Sequence, residues 1–228
     1  MNLSEFYKRY WQRPGAAIPQ QGFALQERKA LLKAALANLH QGSPVLDAGC
    51  GSGEFTAFLA GLGFTVTGVD ILAAAVDRAQ QRCPAARLEV ASLEAGLPFA
   101  DEEFAAVWCS EVLEHLFDVR AALAELNRVL QTDGKLVLTT PYHGLIKNIA
   151  IALLGFEKHY NPYGDHIRFF TRHSLGICLE HAGFTVERWG GISRHWPLWM
   201  AHFVIVRKVA RPAHHQRLRD NVYGNHDR

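Results

Sequence analysis

The sequence has no excess of either charge and no long apolar run. Its 24 basic residues are almost balanced by 22 acidic ones, so the composition gives no reason to expect a polyanionic partner such as a nucleic acid. The stretch 195–206, which lacks Asp, Glu, Lys and Arg, is shorter than the roughly 20 apolar residues that a membrane-spanning helix needs. We therefore expect no nucleic-acid partner and no membrane span.

Cysteine is also scarce. The first residues, MNLSEFYKRYW, contain no apolar segment long enough for a secretory signal peptide. The chain has four cysteines that lie far apart and form no CxxC pair: Cys50, Cys83, Cys109 and Cys178. The sequence therefore predicts a reduced, cytoplasmic protein.

Short β-branched runs alternate with helical patterns along the chain. A Leu and Ala spacing over 26–40 predicts an entry helix. Because strand, helix and strand follow one another and the strands are almost wholly apolar, the pattern predicts an α/β fold with a parallel sheet covered on both faces. Strands are predicted at 44–49, 64–70, 86–92, 104–110, 135–141, 184–190 and 203–209.

The spacing of these elements also predicts the domain organisation. A chain of 228 residues suits one compact domain, since a single core stays efficient up to roughly 250 residues. The connection between the fifth and sixth strands is too long for a simple loop, so we expect a small insertion at about 142–171. The polar tail, 211–228, lacks periodicity and is expected to be flexible.

The strongest chemical signal is the segment VLDAGCGSG, residues 45–53. It ends a buried strand, turns on glycines and opens the next helix. Gly49, Gly51 and Gly53 allow a ligand to approach the backbone closely, and Asp70, at the end of the second strand, can accept hydrogen bonds from ribose hydroxyls. The arrangement predicts a nucleoside-binding crevice at the carboxyl ends of the strands.

Glu54 limits the kind of nucleoside. A dinucleotide-binding fingerprint would have its third glycine at this position, and a carboxylate at a helix N-terminus would repel a pyrophosphate. The ligand is therefore expected to carry no phosphates. The alternative for the same residues is a plain strand-to-helix turn, with Asp70 acting as a helix cap.

Four segments in order carry a family resemblance: DAGCGSG, VTGVDI, LPFADEEF and SEVLEHL. They resemble the class I S-adenosylmethionine-dependent methyltransferases over about residues 25–210. The resemblance implies a Rossmann-like, seven-stranded, mostly parallel sheet with helices on both faces. It also implies an antiparallel last strand, which FVIVRKV would supply, and S-adenosyl-L-methionine in the crevice. YKRYW (7–11) resembles an aromatic lid segment within 1–24; the alternative is packing of the first helix.

The resemblance also implies residue roles. Many relatives have Asp where this chain has Ser92, and GLPF stands one residue later than usual, so the adenine contacts depart from the family pattern. By motif position, Asp47, Gly49, Gly51 and Gly53 would surround the methionine moiety, Asp70 would hold the ribose, Ile71, Ser92 and Leu93 would contact adenine, and the Cys109 backbone would line the cofactor.

The segment SEVLEHL follows the fourth strand and contains the candidate catalytic groups. If a helix begins near Ser110, then Glu111, Glu114 and His115 share one face beside the cofactor. His166 precedes the final helix and follows a strand in the same way, so we predict that it converges on this face.

Three interpretations of these groups stay open. Glu111 with His115 or His166 can serve as acid and base, the carboxylates and imidazoles can bind Mg²⁺ or Mn²⁺, or the face is structural. The ExxEH and DHxxF pattern resembles ubiquinone-pathway O-methyltransferases and small-RNA terminal 2′-O-methyltransferases, in both of which metal ligands fall at the ExxEH positions. Much of the wider family has the same EHL without a metal.

The acceptor must be inferred from the insertion. Residues 144–156 are largely apolar and 195–200 add large aromatic side chains, which would suit the roof of an apolar pocket; packed core or a dimer contact is the alternative. Pocket lining is also predicted for a cluster of polar tips: His159, Tyr160, Tyr163 and His166.

The expected function is transfer of a methyl group to a small, partly apolar acceptor, at oxygen. One alternative acts on an RNA end, with Arg211, Arg217 and Arg219 contacting phosphates. Another is a non-catalytic module that binds S-adenosylmethionine and regulates a partner. Turnover to S-adenosylhomocysteine would exclude the last of these.

Overall fold

The structure, a computed structural model, describes residues 23–161, 164, 166–193 and 198–209. The predicted lid aromatics at 7–11, Tyr163, residues 195–197 of the predicted aromatic stretch 195–200 and the predicted tail from 211 therefore lie outside the described residues.

The described chain forms one seven-stranded sheet in the order β3-β2-β1-β4-β5-β7-β6. Only β7 runs antiparallel to its two neighbours, β5 and β6, among the pairings of this sheet. The predicted fold class is confirmed. The strands are β1 Pro44–Ala48, β2 Thr65–Asp70, β3 Arg87–Val90, β4 Phe104–Ser110, β5 Leu130–Pro141, β6 Phe184–Ile192 and β7 Ala201–Lys208.

One helix precedes β1 and the others lie between the strands, with two of them in the predicted insertion between β5 and β6. Within the described residues, no helix is both long enough and apolar enough to cross a membrane. The helices are α1 Phe23–Ala35, α2 Glu54–Gly61, α3 Ala73–Arg82, α4 Val119–Val129, α5 Leu145–Leu154, α6 Phe156–His159 and α7 Arg172–His181.

The two largest differences from the predicted boundaries are at the start of β5 and at the end of α1. Strand β5 begins at Leu130 rather than at 135, because Leu130 already pairs with Phe104 across a register shift. Helix α1 ends at Ala35 rather than at 40. Beyond that residue the backbone tightens, since the amide of Leu39 donates to the carbonyl of Leu36, three residues back.

Successive residues of the central strands enter different cores. Val45 belongs to a buried cluster with Leu32 of α1 and Phe55 of α2, whereas Leu46 belongs to a second cluster with Leu126 of α4. Side chains alternate across a strand, so the sheet must be covered on both faces to bury both sets. This explains why the central strands are apolar almost throughout rather than alternating with polar residues.

The strand order places the candidate site. The chain crosses from β1 to β2 on one side and to β4 on the other, so the direction of winding reverses between β1 and β4. Ligand crevices of open parallel sheets form at this switch point, outside the carboxyl ends of the strands. The glycine turn after β1 and the segment SEVLEHL after β4 both lie there.

Candidate functional site

The three glycines after β1 serve different purposes. Gly49, Gly51 and Gly53 have φ angles of 80°, 52° and 78°, which favour glycine. A Cβ on Gly49 would lie 2.4 Å from Val112 Cγ2, and one on Gly53 would lie 2.9 Å from Ala79 Cα. A Cβ on Gly51 would meet nothing within 4 Å. Gly51 therefore faces open space at the crevice, whereas the other two are required for packing.

Asp70 ties the glycine turn to the start of α3. Its Oδ2 accepts the amide of Gly51 at 3.0 Å, and its Oδ1 accepts the amide of Leu72 at 3.0 Å. Burial raises the pKa of Asp70. The bond to Leu72 forms a turn just before α3, whose N-cap residue is Leu72, so Asp70 is not itself the helix cap that the alternative interpretation expected. The bond to Gly51 links the carboxylate to the glycine of this turn that faces open space.

Asp47 lies beneath this turn and is almost fully buried. Its Oδ2 accepts the hydroxyl of Thr56 at 2.7 Å. Burial raises the pKa of Asp47 to about 7, although the Thr56 hydrogen bond opposes the shift, and the nearby Asp70 charge adds to it. A cation bound at the crevice would stabilise the ionised form of this side chain.

Glu54 does not present a free charge to the crevice. As the first residue of α2, it pairs with Lys29 of α1 at 2.5 Å and with Arg82 of α3. These cations lower the pKa of Glu54, the Lys29 hydrogen bond most of all. The carboxylate therefore ties three helices together as well as standing at a helix N-terminus.

The remaining predicted cofactor residues flank the same edge of the sheet. Ile71 is half-buried directly after Asp70, and Leu93 is buried in the core. Ser92 Oγ accepts the amide of Glu94 at 3.2 Å. Cys109 is fully buried beside Ala48, and burial raises the pKa of its thiol, so its backbone is the part that can line a crevice.

The segment SEVLEHL does not begin a helix at Ser110, and this prediction is wrong. Glu111 has φ 54°, a left-handed conformation that an α-helix cannot contain. Its amide stays bonded to the carbonyl of Thr139 on β5 at 2.9 Å, so the chain keeps sheet hydrogen bonding past the end of β4. Only a short 3₁₀ turn, Leu113–His115, follows.

The Glu111 carboxylate consequently has different bonding partners from Glu114 and His115. Its Oε1 accepts the hydroxyl of Thr139 at 2.8 Å and lies 3.4 Å from Arg28 Nη2 on α1. Glu114 and His115 instead lie near each other, with 4.0 Å between Glu114 Oε1 and His115 Nε2. The prediction that all three side chains share one face is therefore wrong. Only Glu114 and His115 lie together, and Glu111 bonds elsewhere.

The predicted convergence of His166 on this pair is confirmed. The rings of His115 and His166 have centroids 4.9 Å apart at 68°. The extended segment that carries His166 is held in place because Ile167 and Arg168 donate their amides to the Glu114 carbonyl at 2.9 and 3.0 Å. One nitrogen or oxygen from each of Glu114, His115 and His166 lies within 4.8 Å of the others.

Glu114 is the most unusual group of the site. It is fully buried, and its Oε2 accepts the hydroxyl of Thr140 at 3.1 Å. Within the described residues its Oε1 has no hydrogen-bond partner. Burial, with a smaller contribution from the Glu111 charge, raises the pKa of Glu114 well above its usual value. A neighbouring cation or a donated proton would satisfy this oxygen.

Sequence reasoning missed a further histidine at the base of the insertion. His143 is buried and its ring contacts those of His159 and Phe169, with centroids 5.2 and 5.0 Å apart. Burial lowers the pKa of His143 to about 4, so the ring is neutral at physiological pH. The signal that could have found it is its position directly after β5, at the same edge of the sheet as SEVLEHL.

Of the predicted pocket-lining residues, two others join the same ring cluster. Tyr160 contacts Phe169 and His159, each with centroids 5.0 Å apart. Helix α5 above them has no buried residue, and Leu145, Leu153 and Leu154 are more than three-quarters exposed. The alternative in which this segment is packed core is therefore wrong for α5.

Comparison with known proteins gives consistent matches. A sequence profile of the family described as "Methyltransferase domain" matches residues 21–188, well over half of the chain. A probable S-adenosylmethionine-dependent methyltransferase of Mycolicibacterium smegmatis is 33% identical over 152 residues, covering 67% of this chain and 56% of that protein. A ubiquinone biosynthesis O-methyltransferase of Thiobacillus denitrificans is 29% identical over 160 residues, covering 67% and 68%.

A solved structure has the same fold. The 1,6-didemethyltoxoflavin-N1-methyltransferase of Burkholderia thailandensis, solved with bound 1,6-didemethyltoxoflavin and S-adenosylhomocysteine, superposes with a TM-score of 0.69 at 21% identity. The superposition covers 91% of this chain and 87% of that one. The chain spans about half the length of several of the curated relatives that it matches.

Proposed function

Since the chain belongs to the class I S-adenosylmethionine-dependent methyltransferases, we propose that it transfers a methyl group to an oxygen of a small, partly apolar acceptor. The observation that carries the proposal is the meeting of His115, His166 and the buried Glu114 beside the glycine crevice. The turn that carries Glu114 and His115 packs directly on the crevice. Val112 of this turn lies so close to Gly49 that a Cβ on the glycine would collide with it.

The cofactor assignments follow the edge of the sheet. Asp47, Gly49, Gly51 and Gly53 would surround the methionine moiety, and Asp70 would accept hydrogen bonds from the ribose hydroxyls. Ile71, Ser92 and Leu93 would contact the adenine, and the Cys109 backbone would line the floor of the crevice. The open space at Gly51 and the carboxylate bonded to its amide support this arrangement. Each carboxylate oxygen of Asp70 can accept a further hydrogen bond.

The chemistry requires little of the protein. A sulfonium already activates its methyl group, so the enzyme has to align the acceptor, exclude water and, for a hydroxyl acceptor, remove its proton. His115 is the proposed base, because its ring is mostly buried and lies near Glu114, which can stabilise the charged imidazole. The exposed His166 is placed to orient the acceptor or exchange the proton with solvent.

The acceptor preference rests on the insertion. The apolar side chains of α5 and the ring cluster around Phe169 would accommodate an apolar or aromatic body, while the two imidazoles receive the hydroxyl. The relative from Thiobacillus denitrificans is an O-methyltransferase by name, which supports oxygen as the acceptor atom. The RNA-end alternative depends on Arg211, Arg217 and Arg219, which lie outside the described residues.

Radiolabelled S-adenosylmethionine tests the proposal directly. The protein is incubated with phenols, catechols, aliphatic alcohols, aromatic amines and a short RNA, and methylated product is quantified together with S-adenosylhomocysteine. Transfer to hydroxyl compounds with an apolar body is the expected result. Transfer to amines alone would contradict the oxygen assignment, and transfer to RNA would favour the alternative substrate. Cofactor binding without turnover on any acceptor would favour a regulatory module.

A divalent metal is a second candidate for the same groups. It is favoured by the approach of Glu114, His115 and His166 within 4.8 Å and by the unpartnered Glu114 Oε1. Mixed oxygen and nitrogen ligands suit Mg²⁺, Mn²⁺ or a softer divalent ion. Glu111 would not take part, because its carboxylate is bonded to Thr139 and Arg28.

Chelation separates the two candidates. If a metal orients the acceptor, EDTA stops turnover and added Mn²⁺ or Mg²⁺ restores it. If His115 is a metal-free base, turnover in EDTA equals turnover in buffer. The assay is repeated with Glu114→Gln, which should abolish any dependence on metal because the amide is a much weaker ligand than the carboxylate.

A further inference from the structure

Three consecutive residues of α1 each bind a different part of the crevice edge. Glu27 accepts the amide of Ser193, after β6, at 2.8 Å. Arg28 pairs with Glu111, after β4, and Lys29 pairs with Glu54, after the glycine turn. One helix therefore crosses the edge of the sheet and contacts turns that are far apart in the sequence.

The turn bound by Arg28 is conformationally strained. Glu111 has a left-handed backbone, which is uncommon for residues other than glycine and persists only where surrounding contacts determine it. The contacts are with Thr139, whose carbonyl accepts the Glu111 amide and whose hydroxyl donates to the Glu111 carboxylate, and with Arg28. Thr139 is itself fixed, because its hydroxyl lies 2.7 Å from that of Ser110.

Arg28 also neutralises a charge near Glu114. The Arg28 side chain is only 10% exposed and that of Glu111 26%, so neither charge is well solvated. Without the guanidinium, two carboxyl groups would remain close together in a poorly hydrated turn, since the Glu111 charge already acts on Glu114. The conformation in which Glu114 faces His115 would then lose part of its support.

We propose that Arg28 is a positioning residue, which through its ion pair with Glu111 holds the turn that carries Glu114 and His115 against the crevice. In this arrangement Glu111 serves as the partner of Arg28 and does not contact the acceptor. The effect of this ion pair on catalysis rests on the proposed function, whereas its effect on the conformation of the turn does not.

Hydrogen exchange measures the turn without any acceptor. In the cofactor-free protein, Arg28→Met should speed exchange of the Glu111, His115 and Leu116 amides about tenfold, while exchange in β1 and β4 is unchanged. Glu111→Gln should have the same effect, and the double variant should add nothing further. Arg28→Lys should restore most of the protection because it keeps the charge. Lys33→Met, on the exposed part of α1, is the matched control.

Affinity for S-adenosylhomocysteine distinguishes positioning from direct contact. Arg28→Met and Glu111→Gln should weaken it to the same degree, or both leave it unchanged. The proposal is overturned if both variants leave the exchange of the turn unchanged. It is also overturned if Arg28→Met alone weakens binding, since Arg28 would then serve the cofactor rather than Glu111. None of these outcomes depends on whether an acceptor hydroxyl is methylated.

Discussion

The crevice side and the proposed acceptor side of this sheet edge, which comprises Glu114, His115 and α5, are built differently. On the crevice side, Asp47 and Asp70 are satisfied by a nearby hydroxyl and by backbone amides. On the acceptor side, Glu114 Oε1 has no hydrogen-bond partner among the described residues, and the neighbouring helix α5 exposes apolar side chains. The carboxylates of the crevice are already hydrogen-bonded within the fold, whereas the acceptor side has a buried oxygen without a partner and exposed apolar surface.

The difference reflects what each side has to do. A cofactor of fixed shape can be held by backbone turns and short hydrogen bonds that the fold itself provides. An acceptor must enter, be aligned and leave, so its side needs exposed surface and groups with unused bonding capacity. Unsatisfied buried groups and exposed apolar patches are costly for stability and therefore indicate function.

The largest effect is expected on the crevice side, from Gly51→Val. A branched side chain would project into the open space and would be strained at φ 52°, so cofactor binding should be lost while the fold survives. Gly42→Val is the matched control, because Gly42 has φ 79° and also meets nothing within 4 Å. Calorimetry with S-adenosylhomocysteine gives the result, and normal affinity in Gly51→Val would show that the crevice has been misplaced.

The next effect compares the protein with and without a buried charge at Asp47. The folded pKa of Asp47 is about 7 against its ordinary value of 3.8, so ionisation destabilises the fold as pH rises from about 4 to 7, and the cost is constant above that range. Asp47→Asn should therefore stabilise the cofactor-free protein at pH 8, by at most roughly 4 kcal/mol. The gain should shrink at pH 5.

Urea unfolding at the two pH values measures this difference. Asp77→Asn, at an exposed position of α3, is the control and should show little gain at either pH. A variant that is less stable than the native protein at pH 8 would mean that the Asp47 carboxylate contributes more through its Thr56 hydrogen bond than it loses through burial.

On the acceptor side, replacing His115 should lower turnover with little change in cofactor affinity. A positioned base contributes roughly 10²–10⁴-fold, so His115→Ala should reduce kcat by about 10²-fold or more. His166→Ala should have a smaller effect, because the ring is exposed and can be replaced by water. His173→Ala, an exposed histidine of α7, is the control. Equal rates for the His115 variant and the control would show that His115 is not the catalytic base.

The smallest effect is expected from Asp70→Ala. Loss of a carboxylate partner for the ribose should weaken S-adenosylmethionine binding by about 1–3 kcal/mol. Part of that loss would come from the glycine turn, because Asp70 also accepts the amide of Gly51. Asp70→Asn keeps an acceptor for that amide, so it should bind better than Asp70→Ala. Unchanged affinity in both variants would mean that Asp70 does not bind the ribose.

Local patterns determined most of the fold and the crevice. The strands follow from continuous apolar runs that bury side chains on both faces, and the turn after β1 follows from glycines whose positive φ angles other residues rarely adopt. Asp70 could be placed because its position at a strand end depends only on the lengths of neighbouring elements. Such features are encoded within a few residues of where they act.

The tertiary structure alone decided the roles of the two glutamates in SEVLEHL. Nothing in the local sequence distinguishes Glu111 from Glu114, and a regular helix would have placed both beside His115. Bonds from Thr139 and Arg28 hold Glu111 in a left-handed conformation, and the amides of residues 167 and 168 donate to the carbonyl of Glu114. These partners are distant in sequence, and their contacts form only when the sheet and α1 are assembled, so no local pattern could contain them.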